Sequence, residues 1–176
     1  MITTINNINR LTLKSYKSVK WMSEETICFT ATVLLDGKVI GTASNEGHGG
    51  CTFIHFTNEA AENTANAFAK TINPSDVGGW EFMADKGFTI DCLVDIVVER
   101  EENKKANASI LRKVKKDIAD KVVFVKAGEC PKQGYRILKC GAAGIAKGIE
   151  SMKAKYGEIT VFNGMDDASL LAKFGI

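Results

Sequence analysis

The residues best suited to chemistry cluster in segment 44–55, which reads SNEGHGGCTFIH. The segment holds both histidines of the chain and one of its five cysteines, Cys51, among several glycines. Such residues can form a ligand cradle, a metal site, a nucleophile with its base, or only a tight turn between two strands. The spacing of the residues bears differently on each alternative.

The glycines of this segment suit a loop that approaches an anion, because glycine allows positive φ and leaves backbone N–H groups accessible. Their spacing fits neither the phosphate-binding loop that ends in G-K-[ST] nor the G-x-G-x-x-G dinucleotide motif. Asparagine side chains also commonly bond back to their own backbone two residues on, as Asn45 would in a turn. Two interpretations stay open, a bulged structural corner or a ligand-binding loop made of Asn45, Gly47, His48, Gly49 and Gly50.

His48, Cys51 and His55 are donors of the type that zinc prefers. A structural zinc site needs a fourth ligand, and on one strand Cys51 and His55 would lie about 13 Å apart. We therefore expect no metal and no cofactor. Cys51 with His48 or His55 as base would form a nucleophilic pair, but a cysteine in a strand also serves as a small apolar residue.

Glu24 and Glu25 join this set through a geometric argument. A hairpin that turns at Asp36-Gly37 would return the chain so that residues 23–26 lie beside residues 44–47. Carboxylates, an amide, an imidazole and backbone donors would then meet at one end of a sheet. That meeting predicts either a site, with Glu24, Glu25, His48 and Cys51 as catalytic candidates, or a hydrogen-bonded corner that stabilises the fold.

A second candidate surface is the basic stretch 104–121. Arg112, Lys115 and Lys116 share one face of a predicted helix, where they could contact phosphates. A solvated face opposite an apolar stripe explains the same pattern and is favoured. Aromatic residues do not alternate with these basic residues, so the stretch lacks a base-stacking platform.

The elements that must position these residues are predicted as strands in the first third of the chain, helices in the middle, and alternating strands and helices at the end. Apolar alternation and the Asp-Gly turn indicate an N-terminal β-hairpin or meander. Helices are predicted over 57–73, with Thr57 or Asn58 as cap and Asn73-Pro74 as stop, and over 89–121, with a break at 103–107. A short helix or loop is predicted over 75–88. Near the end of the chain we predict a helix that Gly157 closes and a short helix that Asp166 caps. We predict an α+β fold, mostly antiparallel, with helices layered on one face of the sheet.

Composition excludes several classes of protein. The chain has 176 residues, of which 45% are hydrophobic and 25% charged, with a formal net charge of +2. These values fit one globular domain spanning 1–176 and do not by themselves indicate nucleic acid or an acidic membrane. The chain shows no export signal or membrane-length apolar run, and its odd number of cysteines suits reduced thiols. We expect a cytoplasmic protein that does not bind membranes.

The sequence also resembles a family of small proteins found in bacteria and their phages. The resemblance rests on S-E-E-T at 23–26, D-G-K at 36–38, the N-[DE]-G-x-G-G loop at 45–50, V-V-F at 122–124 and the segment 161–167. The chain departs from the family pattern at Glu46, where aspartate is more common, and lacks a polar amide after Cys51. The resemblance implies the strand layout and a phage or prophage setting, and it transfers no catalytic residue.

Two functional hypotheses follow. The first is an accessory protein that binds a host protein, a nucleotide or a nucleic acid through the polar loops or the basic helix. The alternative is a small hydrolase or transferase acting on a phosphorylated or nucleotide-like ligand. Binding is preferred because the sequence contains no complete catalytic constellation. The sequence does not determine the oligomeric state.

Overall fold

The computed structural model describes residues 5–74, 77, 79–83 and 85–175. The chain forms two compact units, Met1–Glu101 and Glu102–Ile176. Each unit contains helices and an antiparallel sheet, so the predicted α+β class is confirmed. The single domain over residues 1–176 stays a prediction.

The first unit is built on a four-stranded meander. Its strands follow one another in the order β1-β2-β3-β4, and every neighbouring pair is antiparallel. The predicted N-terminal meander is therefore confirmed. The elements are α1 (Ile5–Ile8), β1 (Leu11–Ser18), β2 (Phe29–Leu35), β3 (Lys38–Asn45), β4 (Phe53–Phe56), α2 (Glu59–Ala69) and the beginning of α3 (Ile90–Ile118).

The turn between β2 and β3 has the geometry that Asp-Gly favours. Asp36 and Gly37 have φ values of 52° and 77°, as a type I′ turn requires at its two central positions. Arg10 donates two hydrogen bonds to the Asp36 carboxylate, from Nε at 2.7 Å and from Nη2 at 2.6 Å. The hydrogen bonds from this guanidinium lower the pKa of Asp36. The turn is therefore held by both backbone preference and a side-chain clamp.

One face of this sheet is buried and the other is exposed. Along β2, Phe29, Ala31 and Val33 point into the core, whereas Thr30 is exposed between them. The core face packs with apolar residues of α2 and α3, among them Phe68, Ala65, Leu93, Ile96 and Val97. The apolar face of the sheet, formed by alternate residues of the strands, and the apolar stripes of the helices thus pack together in one core.

The predicted start of α2 is confirmed, because the Asn58 side chain accepts a hydrogen bond from the Ala61 backbone N–H at 2.9 Å. The helix ends at Ala69, a few residues before the predicted stop at Asn73-Pro74. In the irregular segment that follows, Glu81–Met83 forms a single 3-10 turn. Residues 75, 76, 78 and 84 of that predicted helix or loop lie outside the described residues.

The predicted break in α3 is wrong, because the helix continues from Ile90 to Ile118. Asparagine in a helix interior costs less than about 0.7 kcal/mol relative to alanine, and the Lys105–Glu102 ion pair at 2.9 Å supports the helix at this point. In the part of the chain that the structure describes, no helix combines the length and apolar character needed to cross a membrane.

The second unit contains a three-stranded antiparallel sheet in the order β6-β5-β7. Its elements after α3 are β5 (Lys121–Lys126), β6 (Arg136–Lys139), α4 (Ile145–Tyr156), β7 (Ile159–Val161) and α5 (Asp167–Phe174). The predicted caps are present, with Gly157 closing α4 at φ 74° and Asp166 accepting the Ser169 N–H at the start of α5. The core is formed by Val114, Val123, Val125, Phe162, Leu170 and Phe174.

Candidate functional site

Two loops meet at one end of the four-stranded sheet, and together we call them the polar corner: residues 23–26, and residues 45–52. The backbone carbonyl of Gly47 accepts hydrogen bonds from the N–H groups of Glu24, Glu25 and Thr26, at 2.9, 3.1 and 3.3 Å. One carbonyl oxygen therefore binds three successive residues of the facing turn. The predicted proximity of these two segments is confirmed.

Asn45 is the centre of the polar corner. Its side chain is 6% exposed. Its Oδ1 accepts hydrogen bonds from Thr26 Oγ1 and from the Gly47 N–H, both at 2.8 Å. Its Nδ2 donates to the Gly50 carbonyl at 3.0 Å and to Thr52 Oγ1 at 3.3 Å. Because these four bonds use both acceptor sites and both donors of the amide, Asn45 holds the two loops together.

The network continues from the glycine loop to helix α3. Buried Thr52 donates from Oγ1 to Asp95 Oδ1 at 2.5 Å. Burial raises the pKa of Asp95, the Thr52 hydrogen bond opposes that rise, and the charge of Asp91 adds to it. The net pKa is raised because the cost of burying the charged carboxylate exceeds the gain from one hydroxyl donor.

Glu24 and Glu25 of the polar corner both lie against the glycine loop. Glu24 Oε2 lies 3.1 Å from His48 Nδ1, with the two side chains 68% and 55% exposed. A side chain at Gly49 would contact Glu25 Oε2, so the absence of one lets that carboxylate lie against the loop. Since a contact between two exposed side chains contributes little to stability, the His48 contact orients Glu24 more than it stabilises the fold.

Beside the polar corner lies an open pocket of about 540 Å³, which we call the acidic pocket. Its wall contains Asn45 and two of the predicted catalytic candidates, Glu24 and Glu25. Asp95 and Glu99 of α3 complete a set of four carboxyl groups, and the apolar part of the wall includes Ile27, Phe29, Trp80 and Val98. Among the described residues that line the pocket, none is a lysine or an arginine.

The other predicted residues of the loop do not line this pocket. Gly47, His48, Gly49 and Gly50 belong to the part of the polar corner that lies outside the pocket lining, and Cys51 is an exposed free thiol. Among the described residues, no three His, Cys, Asp or Glu side chains are grouped closely enough to hold a metal ion. The chemistry available here is that of carboxylates and a hydrogen-bonded loop.

The predicted basic patch lies on α3 in the second unit, where Arg112, Lys115 and Lys116 are exposed. Lys115 forms an ion pair with Asp167, with Nζ 2.8 Å from Oδ1. Between these basic residues, Val114 is fully buried in the core of the unit. The arrangement fits a solvated helix face, part of whose charge is compensated by α5.

A second hollow, of about 680 Å³, lies at the β5–β6 connection and is lined by Glu129, Cys130, Tyr135 and Arg136. Arg136 donates to Glu129 from Nη2 at 2.6 Å and from Nε at 3.1 Å. These hydrogen bonds, with that from the Lys126 backbone, hold the pKa of Glu129 at about 2. The charges of Glu129 and Arg136 neutralise each other, so the hollow offers no net charge to a ligand.

Sequence reasoning missed Thr52, Trp80, Asp95 and Glu99. One signal was available, because Asp95 interrupts the apolar run LVDIVV at 93–98 on the buried side of a helix. A carboxyl group at such a position needs a hydrogen-bond partner or a function. Trp80 and Glu99 carry no comparable signal, since only tertiary packing brings α3 and the segment before it to this pocket.

Comparison with known proteins adds no relative. A scan against protein-family models found no match, and searches of curated proteins and of solved structures found no similar protein. The resemblance to the family of phage and bacterial proteins therefore stays a prediction. Functional inference depends on the geometry of the site.

Proposed function

We propose that the protein is a binding module whose acidic pocket accepts a basic side chain of a partner protein. The observation that carries the proposal is the lining of the pocket, which combines four carboxyl groups with an apolar wall. Arginine and lysine side chains carry an apolar stem and a cationic head. The apolar wall of the pocket suits the stem, and its carboxyl groups suit the cationic head.

The charge of the wall favours a cation over an anion. Glu24, Glu25, Asp95 and Glu99 surround the pocket. Negative charge on this wall would attract a cationic ligand group, whereas a phosphoryl group would be repelled. This argues against a nucleotide here, and against the alternative of a hydrolase or transferase that uses this pocket on a phosphorylated ligand.

Exposed aromatic residues beside the pocket favour a protein over a small free cation. Trp80 of the pocket wall stacks on Phe82, with ring centroids 5.6 Å apart, and Phe82 is 71% exposed. Trp21, which is 83% exposed, precedes the pocket residue Ser23 by two positions. Large exposed aromatic side chains are typical of the energetic centres of protein interfaces. In the phage setting that the sequence resemblance implies, the partner would be a host protein in the host cytoplasm.

A matched pair of peptides tests the proposal. Acetyl-Gly-Arg-Gly-amide and its citrulline counterpart have nearly the same shape, but only the first carries a charge. The variant Trp21→Phe leaves Trp80 as the single tryptophan of the chain, so its fluorescence reports ligand in the pocket. We expect the arginine peptide to change this fluorescence at concentrations where the citrulline peptide does not.

Carboxamide variants then locate the binding. The double variant Glu25→Gln and Glu99→Gln removes two negative charges from the pocket wall. Each exposed ion pair that is lost costs up to about 1 kcal/mol of binding free energy. The double variant should therefore weaken binding about tenfold. Glu46→Gln is the control, because Glu46 is exposed in the same loop and does not line the pocket. Equal binding of the two peptides, or tighter binding of the small guanidinium compound agmatine than of the arginine peptide, would contradict a partner-protein function.

A further inference from the structure

The exposed face of the four-stranded sheet, which we call the outer face, carries a second set of residues with an ordered chemical pattern. Cross-strand register places eight of its residues in two rows that run from β1 to β4. The first row is Lys17, Thr30, Ser44, Phe53, and the second is Lys14, Thr32, Thr42, His55. Each row begins with a lysine, continues with two hydroxyl groups and ends with an aromatic ring.

From this pattern we propose that the outer face binds single-stranded nucleic acid, with the sugar–phosphate backbone over β1 and β2 and the bases over β4. This inference is independent of the acidic pocket, because it uses the opposite face of the sheet. The two rows contain no aspartate or glutamate, so the face complements a polyanion. Lysine ammonium groups and Ser or Thr hydroxyl groups are the side chains that commonly bind phosphate oxygens.

The spacing of the rows suits a chain of successive nucleotides. Residues two apart on a strand lie about 6.8 Å apart on the same face, so Phe53 and His55 present two rings to two neighbouring bases. Aromatic rings bind bases of any sequence by stacking. Phe53 is 72% exposed, and neither ring is covered by the core of the unit.

A bulge in β1 shapes the middle of the outer face. The register with β2 shifts between Lys14 and Lys17, and Ser15 within the bulge has φ 53°. A shallow depression of about 440 Å³ lies over the bulge and the hydroxyl rows, and Lys17, Thr30 and Ser44 are among its lining residues. Residues three apart on a regular strand point to opposite faces, so the extra residue of the bulge is what places Lys17 on the same face as Lys14.

Fluorescence anisotropy with labelled dT12 and dA12, over a series of salt concentrations, tests the inference on the full chain. We expect binding of both oligonucleotides at low salt. The double variant Lys14→Ala and Lys17→Ala should reduce the slope of log affinity against log salt by about 1.4, or about 0.7 for each lost phosphate contact. Phe53→Ala should weaken binding about fivefold or more without changing that slope, and Phe53→Tyr should restore the affinity.

The basic patch of α3 provides the matched control. Arg112→Ala with Lys116→Ala removes two exposed positive charges in the second unit and should leave affinity within twofold. A loss confined to this control pair would assign binding to α3 and overturn the inference. Absence of binding at low salt would also overturn the inference. Binding that Phe53→Ala leaves unchanged would overturn it too, because such binding would depend on charge attraction alone.

Discussion

Replacing Gly47 by alanine tests the geometry of the polar corner most directly. Gly47 has φ +92°, in a region that L-residues rarely adopt. A Cβ at this position would contact the Met22 carbonyl oxygen and would lie 2.9 Å from Cys28 Cβ. The first neighbour belongs to the backbone, so the loop itself would have to move.

The expected cost follows from two contributions. Holding a non-glycine residue at such a φ costs about 1–2 kcal/mol. Moving the loop away from Met22 would weaken the three hydrogen bonds that the Gly47 carbonyl accepts, and one lost hydrogen bond costs about 1 kcal/mol. We therefore expect Gly47→Ala to lower the free energy of unfolding of the first unit by about 3 kcal/mol.

Urea denaturation followed by tryptophan fluorescence is the appropriate assay, because both tryptophans, Trp21 and Trp80, belong to the first unit. Gly50→Ala is the matched control, since a Cβ there has no heavy atom within 4 Å and its φ is not in the positive region. We expect the control to change stability by less than about 0.5 kcal/mol. If the two alanine variants unfold at the same urea concentration, the role assigned to Gly47 is refuted.

Two further predictions concern the buried network. Asn45→Ala removes the side chain that makes four hydrogen bonds and should cost about 2–4 kcal/mol in a urea titration, against less than about 0.5 kcal/mol for exposed Ser44→Ala; equal losses would contradict the central role of Asn45. The raised pKa of Asp95 means that the folded state binds its proton more tightly than the unfolded state, so this carboxyl destabilises the fold as the pH rises through and above its ordinary value of 3.8. Asp95→Asn should therefore become progressively more stable than the parent between pH 3 and 7, and a pH-independent difference between the two would show that the pKa of Asp95 is not raised.

The sequence predicted the features that depend on neighbouring residues. The Asp36-Gly37 turn, the Asn58 and Asp166 caps and the glycine at the end of α4 all act within a few residues of themselves. Strand alternation likewise predicted the N-terminal hairpin or meander. Because the hairpin register follows from its turn, the proximity of residues 23–26 to the glycine loop was also predictable.

The acidic pocket was decided by tertiary structure alone. Two of its four carboxyl groups, Asp95 and Glu99, are contributed by a helix some seventy residues from the turn that carries Glu24 and Glu25. No local pattern records which face of α3 meets that end of the sheet, since this depends on how the two apolar surfaces pack. The exposed side of each strand could be predicted from the sequence. The rows of the outer face form only when the register, which the β1 bulge sets in part, aligns the four strands. Local sequence thus determined the elements, and long-range packing determined which side chains the elements bring together.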